Sequence, residues 1–153
     1  MELIRTDFVH VGLDVPDQAA LFDVMAGALI DRGRVRPSYR QAIEERESVF
    51  PTGLPVGIGV AIPHTDAEHV IEDTIAIATL ATPVVFGEMA GEADATVEAR
   101  AVIMLALASG SQVEVLKRVI KAIQNAEFMD ALVRAGEPAE VMELATVAFL
   151  PQD

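Results

Sequence analysis

The spacing of apolar and polar residues predicts two helices in the first third of the chain. In the first helix, apolar residues recur on one face, with Asp14 as the N-cap, Pro16 in the first turn and a stop near Gly33. The stretch "SYRQ" at 38–41 has the capping-box pattern and predicts a second helix that runs to about Glu47. Prolines and a glycine then interrupt the pattern, which indicates a turn.

The middle of the chain predicts strands. Residues 57–62, 74–80 and 84–86 are short runs rich in β-branched residues, as half-buried strands are. Residues 100–108 are apolar on both faces, which is typical of a central strand that is covered on both sides. The acidic stretch 87–99 predicts a loop or a sheet edge.

The last third returns to helical spacing. Residues 112–125 carry a regular apolar stripe and predict one helix, and two shorter helices follow at about 127–134 and 138–145. The order of helices, strands and then helices predicts a single α/β or α+β domain with helices packed on a sheet.

The composition limits the kind of protein this is. The 153 residues suffice for one domain with a core, and the lack of cysteine excludes disulfides, thiolate zinc sites and cysteine nucleophiles. The longest apolar run, 101–108, is far shorter than the about 20 residues that a membrane helix needs, and the N-terminus lacks the pattern of a secretory signal. We therefore expect a cytoplasmic protein without direct membrane insertion.

The formal net charge of −13 also restricts the partners. The basic residues do not form a stripe, so nucleic acid is excluded, whereas a basic protein partner would be attracted. The same acids would also serve solubility alone. The chain has no nucleotide-binding GxxxxGK[ST] loop, and "GIG" at 57–59 is not a dinucleotide fingerprint. We expect no cofactor.

His64 is the residue that most needs an explanation. It follows Pro63 at the end of a predicted strand, in "VAIPHTD", and strand ends are where α/β proteins place their sites. Three interpretations stay open: a hydrogen-bonded structural histidine, a metal ligand together with Asp66 and His69, or a nucleophile whose free ring nitrogen accepts a phosphoryl group. Transfer of a phosphoryl group requires positive charge at its oxygens, for which Arg46 is the local candidate, unless Arg46 is a solvated surface residue.

The stretch "RESVFPTGLPVGIGVAIPHTDAEHV", residues 46–70, resembles the active-site region of enzyme IIA components of the bacterial sugar phosphotransferase system, in the fructose/mannitol superfamily. The pattern is an Arg-Glu pair, a Pro-Thr-Gly turn and then Ile-Pro-His. The resemblance extends over about 5–148, and "HTDAEHV" with the later "VEVLKRVIKAI" is most similar to the galactitol-type subgroup.

This resemblance implies a fold and a role. Residues 1–153 would form one domain, a mixed β-sheet of about five strands with helices on its faces. His64 would accept a phosphoryl group from the carrier HPr and pass it to a cysteine of a IIB component, which serves a membrane IIC component that takes up a polyol such as galactitol. Arg46 would hold the phosphoryl oxygens without a metal. An acidic rim from 88–98 would steer HPr to the site.

The resemblance also implies supporting residues. They are Glu47, Pro63, Thr65, Gln112 and His69. Many family members carry a second histidine where this chain has "QVEVL", so Gln112 or a neighbour stands in that place. A glutamine amide donates a hydrogen bond but brings no charge. His69 either lines the site or caps a turn, and Asp66 either has a structural role or orients the imidazole.

Two other functions remain as alternatives at this point. One is a regulatory IIA-like phosphoprotein whose state controls a transporter or a transcription factor. The other is a metal-dependent enzyme that uses His64, Asp66 and His69.

Overall fold

The computed structural model describes residues 3–108 and 112–150, which form five helices, five strands and two 3₁₀ turns. The elements, in chain order, are β1 Val9–Leu13, α1 Gln18–Asp31, α2 Tyr39–Val49, β2 Gly53–Leu54, β3 Val60–Ala61, β4 Thr74–Gly87, β5 Thr96–Ala106, α3 Gln112–Ile123, α4 Ala126–Arg134 and α5 Pro138–Phe149. The 3₁₀ turns are Thr6–Phe8 and Ala67–His69.

The strands form one mixed sheet in the order β1-β4-β5-β3-β2. Strands β4 and β5 are the long antiparallel centre, and β1 and β3 join them in parallel from either side. Strand β2 closes the far edge as the antiparallel partner of β3, with Gly53 opposite Ala61. The short strand β3 therefore lies next to the central strand β5, and the chain leaves it beside the carboxyl end of that strand.

Helices cover both faces of the sheet. Because successive side chains of a strand point to opposite faces, Ala76 and Ala78 of β4 pack under α1 and α2, while Ile75 and Ile77 pack under α3, α4 and α5. The two cores bring large side chains from the helices onto the sheet. They include Phe22, Met25, Leu29 and Tyr39 on one side and Val119, Leu132, Val141 and Phe149 on the other. The predicted α/β domain with a mixed sheet of five strands is confirmed.

The strand predictions were partly wrong in their bounds. Residues 74–80 and 84–86 belong to one continuous strand, because a shift of register between Thr79 and Val84 lets the sheet pass Pro83, which has no N–H to donate. Strand β5 begins at Thr96, inside the stretch 87–99 that was expected to be a loop or a sheet edge. Strands β1 and β2 were not predicted at all.

The predicted strand 57–62 shrinks to Val60–Ala61 because of its glycines. Gly59 has a φ of +81°, which a residue with a side chain rarely adopts, and a Cβ there would collide with the Glu98 carbonyl oxygen. The Gly59 carbonyl accepts from the N–H of Arg100 at 2.9 Å. The segment before β3 is therefore a tight turn held against β5.

The helices were predicted to within a few residues, but the N-terminal caps of the first two were not. Asp17 caps α1 through a 3.0 Å bond from the Ala20 N–H, in place of Asp14. Ser38 precedes α2 without capping it, since its hydroxyl pairs with a ring nitrogen of His69 at 2.8 Å. Helix α3 ends at Ile123, and α5 continues to Phe149.

Among residues 3–108 and 112–150, no helix has the length and hydropathy needed to cross a bilayer.

Candidate active site

His64 lies just beyond β3 and is held against the central strand β5. The Leu105 N–H donates to the Pro63 carbonyl at 2.9 Å, and His64 forms a parallel bridge with Leu105. On the other side of that residue, the buried Tyr39 hydroxyl donates to the Leu105 carbonyl at 2.8 Å. Pro63 stands directly before His64 at the end of β3, and its carbonyl thus connects this segment to the central strand β5.

The imidazole of His64 has a defined tautomer. Its Nδ1 lies 2.7 Å from the Ile62 carbonyl oxygen, which only accepts, so Nδ1 carries the hydrogen and Nε2 carries the lone pair. Burial lowers the pKa of His64, the bond to Ile62 opposes this shift, and the nearby charge of Arg46 lowers the pKa further. The ring is therefore neutral near pH 7, with Nε2 available as a nucleophile.

Arg46 comes from the last turn of α2 and extends to the same place. Its guanidinium carbon lies 4.9 Å from the centre of the Phe50 ring, and one terminal nitrogen lies 3.6 Å from Asp66 Oδ1. The Arg46 Nε is buried and has no hydrogen-bond partner among the described residues. A buried donor without a partner costs free energy, which indicates a binding position for an acceptor such as a phosphoryl oxygen.

His64 and Arg46 share two clefts. A cavity of about 150 Å³ is lined by these two side chains together with Thr65, Asp66, Leu105, Leu107, Gln112, Val113 and Leu116. A wider cleft of about 590 Å³, also lined by His64 and Arg46, lies between the end of α2 and the loop after β4. A neutral imidazole beside a guanidinium, in a partly desolvated cavity, can accept a phosphoryl group and stabilise its charge.

Glu47 follows Arg46 on α2, lines neither cleft and is 4% exposed. Its carboxylate accepts from the Thr52 N–H at 2.6 Å and from the Thr52 hydroxyl at 2.8 Å. Burial raises the pKa of Glu47, and these two bonds and the charge of Arg46 oppose that shift. Sequence reasoning named Glu47 as a supporting residue but missed Thr52, although the Pro-Thr-Gly turn contained the signal.

Gln112 and Thr65, which were predicted as supporting residues, line the small cavity. The Gln112 amide donates to the Leu107 carbonyl at 2.7 Å, so one of its two amide hydrogens is already used. Thr65 is 7% exposed, directly after the histidine. Neither residue brings a charge to the site.

His69 and Asp66 have roles that differ from the metal interpretation. His69 ends the 3₁₀ turn Ala67–His69, and its Nδ1 pairs with the Ser38 hydroxyl at 2.8 Å, which joins this turn to the start of α2. Asp66 pairs with Arg46, while the bond that orients the His64 ring comes from Ile62. Within residues 3–108 and 112–150, no group of three histidine or acidic side chains is arranged to hold a metal, so His64, Asp66 and His69 are not assembled as ligands.

The loop between β4 and β5 borders the wide cleft, as the predicted acidic rim requires. Residues 87–93 and Ala95 line that cleft with His64, and they include Glu88 and Glu92. On the facing side Val49 and Phe50 are 67% and 61% exposed. The mouth of the site therefore combines exposed apolar side chains with carboxylates.

Comparisons with known proteins assign the chain to a family. The model for "Phosphoenolpyruvate-dependent sugar phosphotransferase system, EIIA 2" matches residues 2–146. The chain is 32% identical over 150 residues to multiphosphoryl transfer protein 2 of Escherichia coli. This match covers 93% of this chain but only 17% of that longer relative. It is 26% identical over 146 residues to a mannitol-specific phosphotransferase enzyme IIA component of Staphylococcus aureus, and this match covers 94% of both chains.

The fold agrees with solved structures as well. Enzyme IIA for mannitol from Escherichia coli, in its complex with phosphorylated enzyme IIB, superposes with a TM-score of 0.77 at 24% identity, over 95% of this chain and 99% of that one. The family model spans nearly the whole chain, including the Arg-Glu pair, the Pro-Thr-Gly turn and the Ile-Pro-His sequence. The chain therefore belongs to the EIIA 2 family of the phosphoenolpyruvate-dependent sugar phosphotransferase system, whose members are phosphotransferases that relay phosphoryl groups through a histidine.

Proposed function

We propose that this chain is the enzyme IIA of a polyol phosphotransferase system and that His64 is the residue that carries the phosphoryl group. The observation that carries the proposal is the orientation of one ring: Nδ1 donates to the Ile62 carbonyl, so the lone pair of Nε2 is available in a cavity shared with Arg46. Residues 1–153 act as one unit, in the cytoplasm and without a cofactor.

The chemistry of the first transfer is an in-line displacement at phosphorus. The Nε2 lone pair of His64 forms an N–P bond as the N–P bond of a phosphohistidine on HPr breaks, and the HPr imidazole leaves with the bonding electrons. His64 keeps its hydrogen on Nδ1, bound to Ile62, throughout. Arg46 holds the phosphoryl oxygens, and its buried Nε gains the acceptor that it lacks.

The second transfer delivers the group to a IIB component. A cysteine thiolate of IIB attacks the phosphorus, the N–P bond of phospho-His64 breaks, and the neutral imidazole is restored. The wide cleft supports both encounters, because Phe50 and Val49 offer a small apolar contact and Glu88 and Glu92 attract basic residues. Such a surface permits fast binding and release, which a relay needs. The membrane IIC component is served only through IIB.

The narrower proposal concerns the polyol. The residues after His64 resemble galactitol-type members, whereas two of the compared proteins are named for mannitol. We propose a galactitol-type or related polyol system. Transfer from the phosphorylated protein to purified galactitol-type and mannitol-type IIB components distinguishes the two, since the cognate IIB should be phosphorylated at least tenfold faster, a difference of about 1.4 kcal/mol in barrier.

The experiment that tests the main proposal is phosphorylation with phosphoenolpyruvate, enzyme I and HPr. Intact mass should show one added phosphoryl group that is lost in acid, as a phosphoramidate is. Absence of any phosphate, while HPr is fully charged, would contradict the proposal. Uptake of phosphate without transfer to any IIB component would instead favour the regulatory alternative.

A further inference from the structure

A chain of hydrogen bonds runs from the buried carboxylate of Glu47 to the imidazole of His64. The Thr52 hydroxyl donates to Glu47 at 2.8 Å, and the same oxygen accepts from the Ile62 N–H at 3.2 Å. The Thr52 carbonyl accepts from that N–H as well, at 3.3 Å. The carbonyl of Ile62 then accepts from His64 Nδ1 at 2.7 Å. The N–H and the carbonyl of Ile62 belong to successive peptide groups that share its Cα, so these bonds connect α2 to the ring through the backbone of Ile62.

The direction of each bond in this path is determined. A hydroxyl has one hydrogen, and because the Thr52 hydroxyl gives it to a carboxylate oxygen, its lone pair faces the Ile62 N–H. The Thr52 N–H also donates to Glu47, at 2.6 Å, so the threonine is held at two points. Thr52 is 2% exposed and Ile62 is fully buried, so water does not offer substitute partners.

We propose that Thr52, held by Glu47, is a positioning residue that fixes the backbone of Ile62 at its N–H, and thereby the carbonyl that sets the tautomer and aim of the His64 ring. The proposal rests on the proposed function of His64. The Pro63 carbonyl is already anchored by the Leu105 N–H, so the N–H of Ile62 is the backbone group that α2 and the Pro-Thr-Gly turn must hold. Neither Thr52 nor Glu47 touches the reacting phosphorus in this scheme.

If Thr52 positions the ring, its loss should change the tautomer of His64 and leave the binding of HPr unchanged. Thr52→Val keeps the shape of the side chain but removes the hydroxyl, so the Ile62 N–H retains only the longer bond to the Thr52 carbonyl. We expect phosphorylation by HPr to fall by about three- to tenfold in kcat, on the scale of one buried hydrogen bond, with KM for HPr unchanged. Nitrogen NMR of the unphosphorylated protein should detect a His64 fraction with its hydrogen on Nε2.

Matched variants separate positioning from stability. Thr52→Ser retains the hydroxyl and should recover at least half of the lost rate, together with the wild-type tautomer. Glu47→Gln should reproduce the defect, because an amide cannot accept from both Thr52 groups as the carboxylate does. Thr79 is the control: it is also a buried threonine, its hydroxyl oxygen accepts from the Gly12 N–H at 3.0 Å, and it lines neither cleft. Thr79→Val should lower the melting temperature without changing tautomer or kcat.

The outcomes distinguish this inference from the function itself. A Thr52→Val protein with the wild-type tautomer and rate overturns the positioning role, and so does an equal loss of kcat in Thr79→Val, which would mean that the rate follows stability alone. If wild type accepts no phosphate, the proposed function is wrong, but the tautomer comparison still decides whether Thr52 orients the ring.

Discussion

Replacing Arg46 by glutamine removes the positive charge of the site and keeps a polar side chain that reaches as far as the arginine Nε. In the structure the Arg46 side chain is 35% exposed, so its contacts with a phosphoryl group are partly screened, although its Nε is buried. A charge-assisted hydrogen bond contributes about 1.5–3 kcal/mol, and partial exposure favours the lower end. We therefore expect Arg46→Gln to slow phosphoryl transfer from HPr by about 10- to 30-fold.

The ion pair with Asp66 does not change this estimate. The two groups are 3.6 Å apart and Asp66 is 71% exposed, so the pair contributes little, and Arg46 can leave it for a phosphoryl oxygen at small cost. The assay is rapid-quench phosphorylation by charged HPr, with the rate constant taken at saturating HPr. Removal of a contact made mainly in the transition state should lower that rate constant and leave the KM for HPr nearly unchanged.

Arg40→Gln is the matched control because Arg40 lies on the same helix and makes two ion pairs away from the clefts, to Asp23 at 2.8 Å and to Glu44 at 3.1 Å. It should lose some stability and no activity. A rate for Arg46→Gln within twofold of wild type, or an equal decrease in Arg40→Gln, would refute the assignment and return Arg46 to the role of a surface residue.

Further expectations concern the other groups in the cavity. His64→Ala should accept no phosphate in intact-mass measurements while its circular dichroism stays native, and labelling of this variant would contradict the assignment. Because burial and Arg46 lower the pKa of His64 from 6.5, the transfer rate should stay level as the pH falls to that value and decrease only below it, where Nε2 gains a proton; in Arg46→Gln the midpoint should move upward. Gln112→Ala should slow transfer by about two- to tenfold, less than Arg46→Gln, since it loses a neutral hydrogen bond. Asp66→Asn should speed transfer, because it removes a charge that repels the phosphoryl dianion; a slower rate measured by rapid quench would show that Asp66 assists.

The amino-acid sequence by itself determined the class of fold and the place of the site. Apolar stripes predicted α1 and α3, because each stripe reports one face that must be buried, and the capping-box pattern predicted α2. The run 101–108 identified the central strand, since only a strand covered on both faces is apolar throughout. Pro63 before His64 marked the strand end. These features depend on residues that are close in the sequence, so they can be predicted from the spacing of neighbouring residues.

Tertiary contacts decided the features that depend on partners far along the chain. Strand β1 exists because it pairs with β4, and β2 is only two residues long and needs β3. Likewise, the sequence predicted Ser38 as a helix cap, which was wrong because its hydroxyl pairs with His69, a contact between residues separated by 31 positions. In both cases a weak local preference yields to a hydrogen bond that only the folded chain makes available.

The candidate site divides in the same way. The order of the residues pointed to His64 and Arg46, because a nucleophilic nitrogen and a delocalised positive charge lie in one motif. The folded structure showed the bond from Nδ1 of His64 to Ile62 that leaves Nε2 free, the contact of Glu47 with Thr52, and the place of Gln112 in the same cavity. Chemical capacity is a property of the side chain and can be read from its identity. Tautomer, burial and pKa are properties of its surroundings, and these form only when β3, β5 and α2 meet.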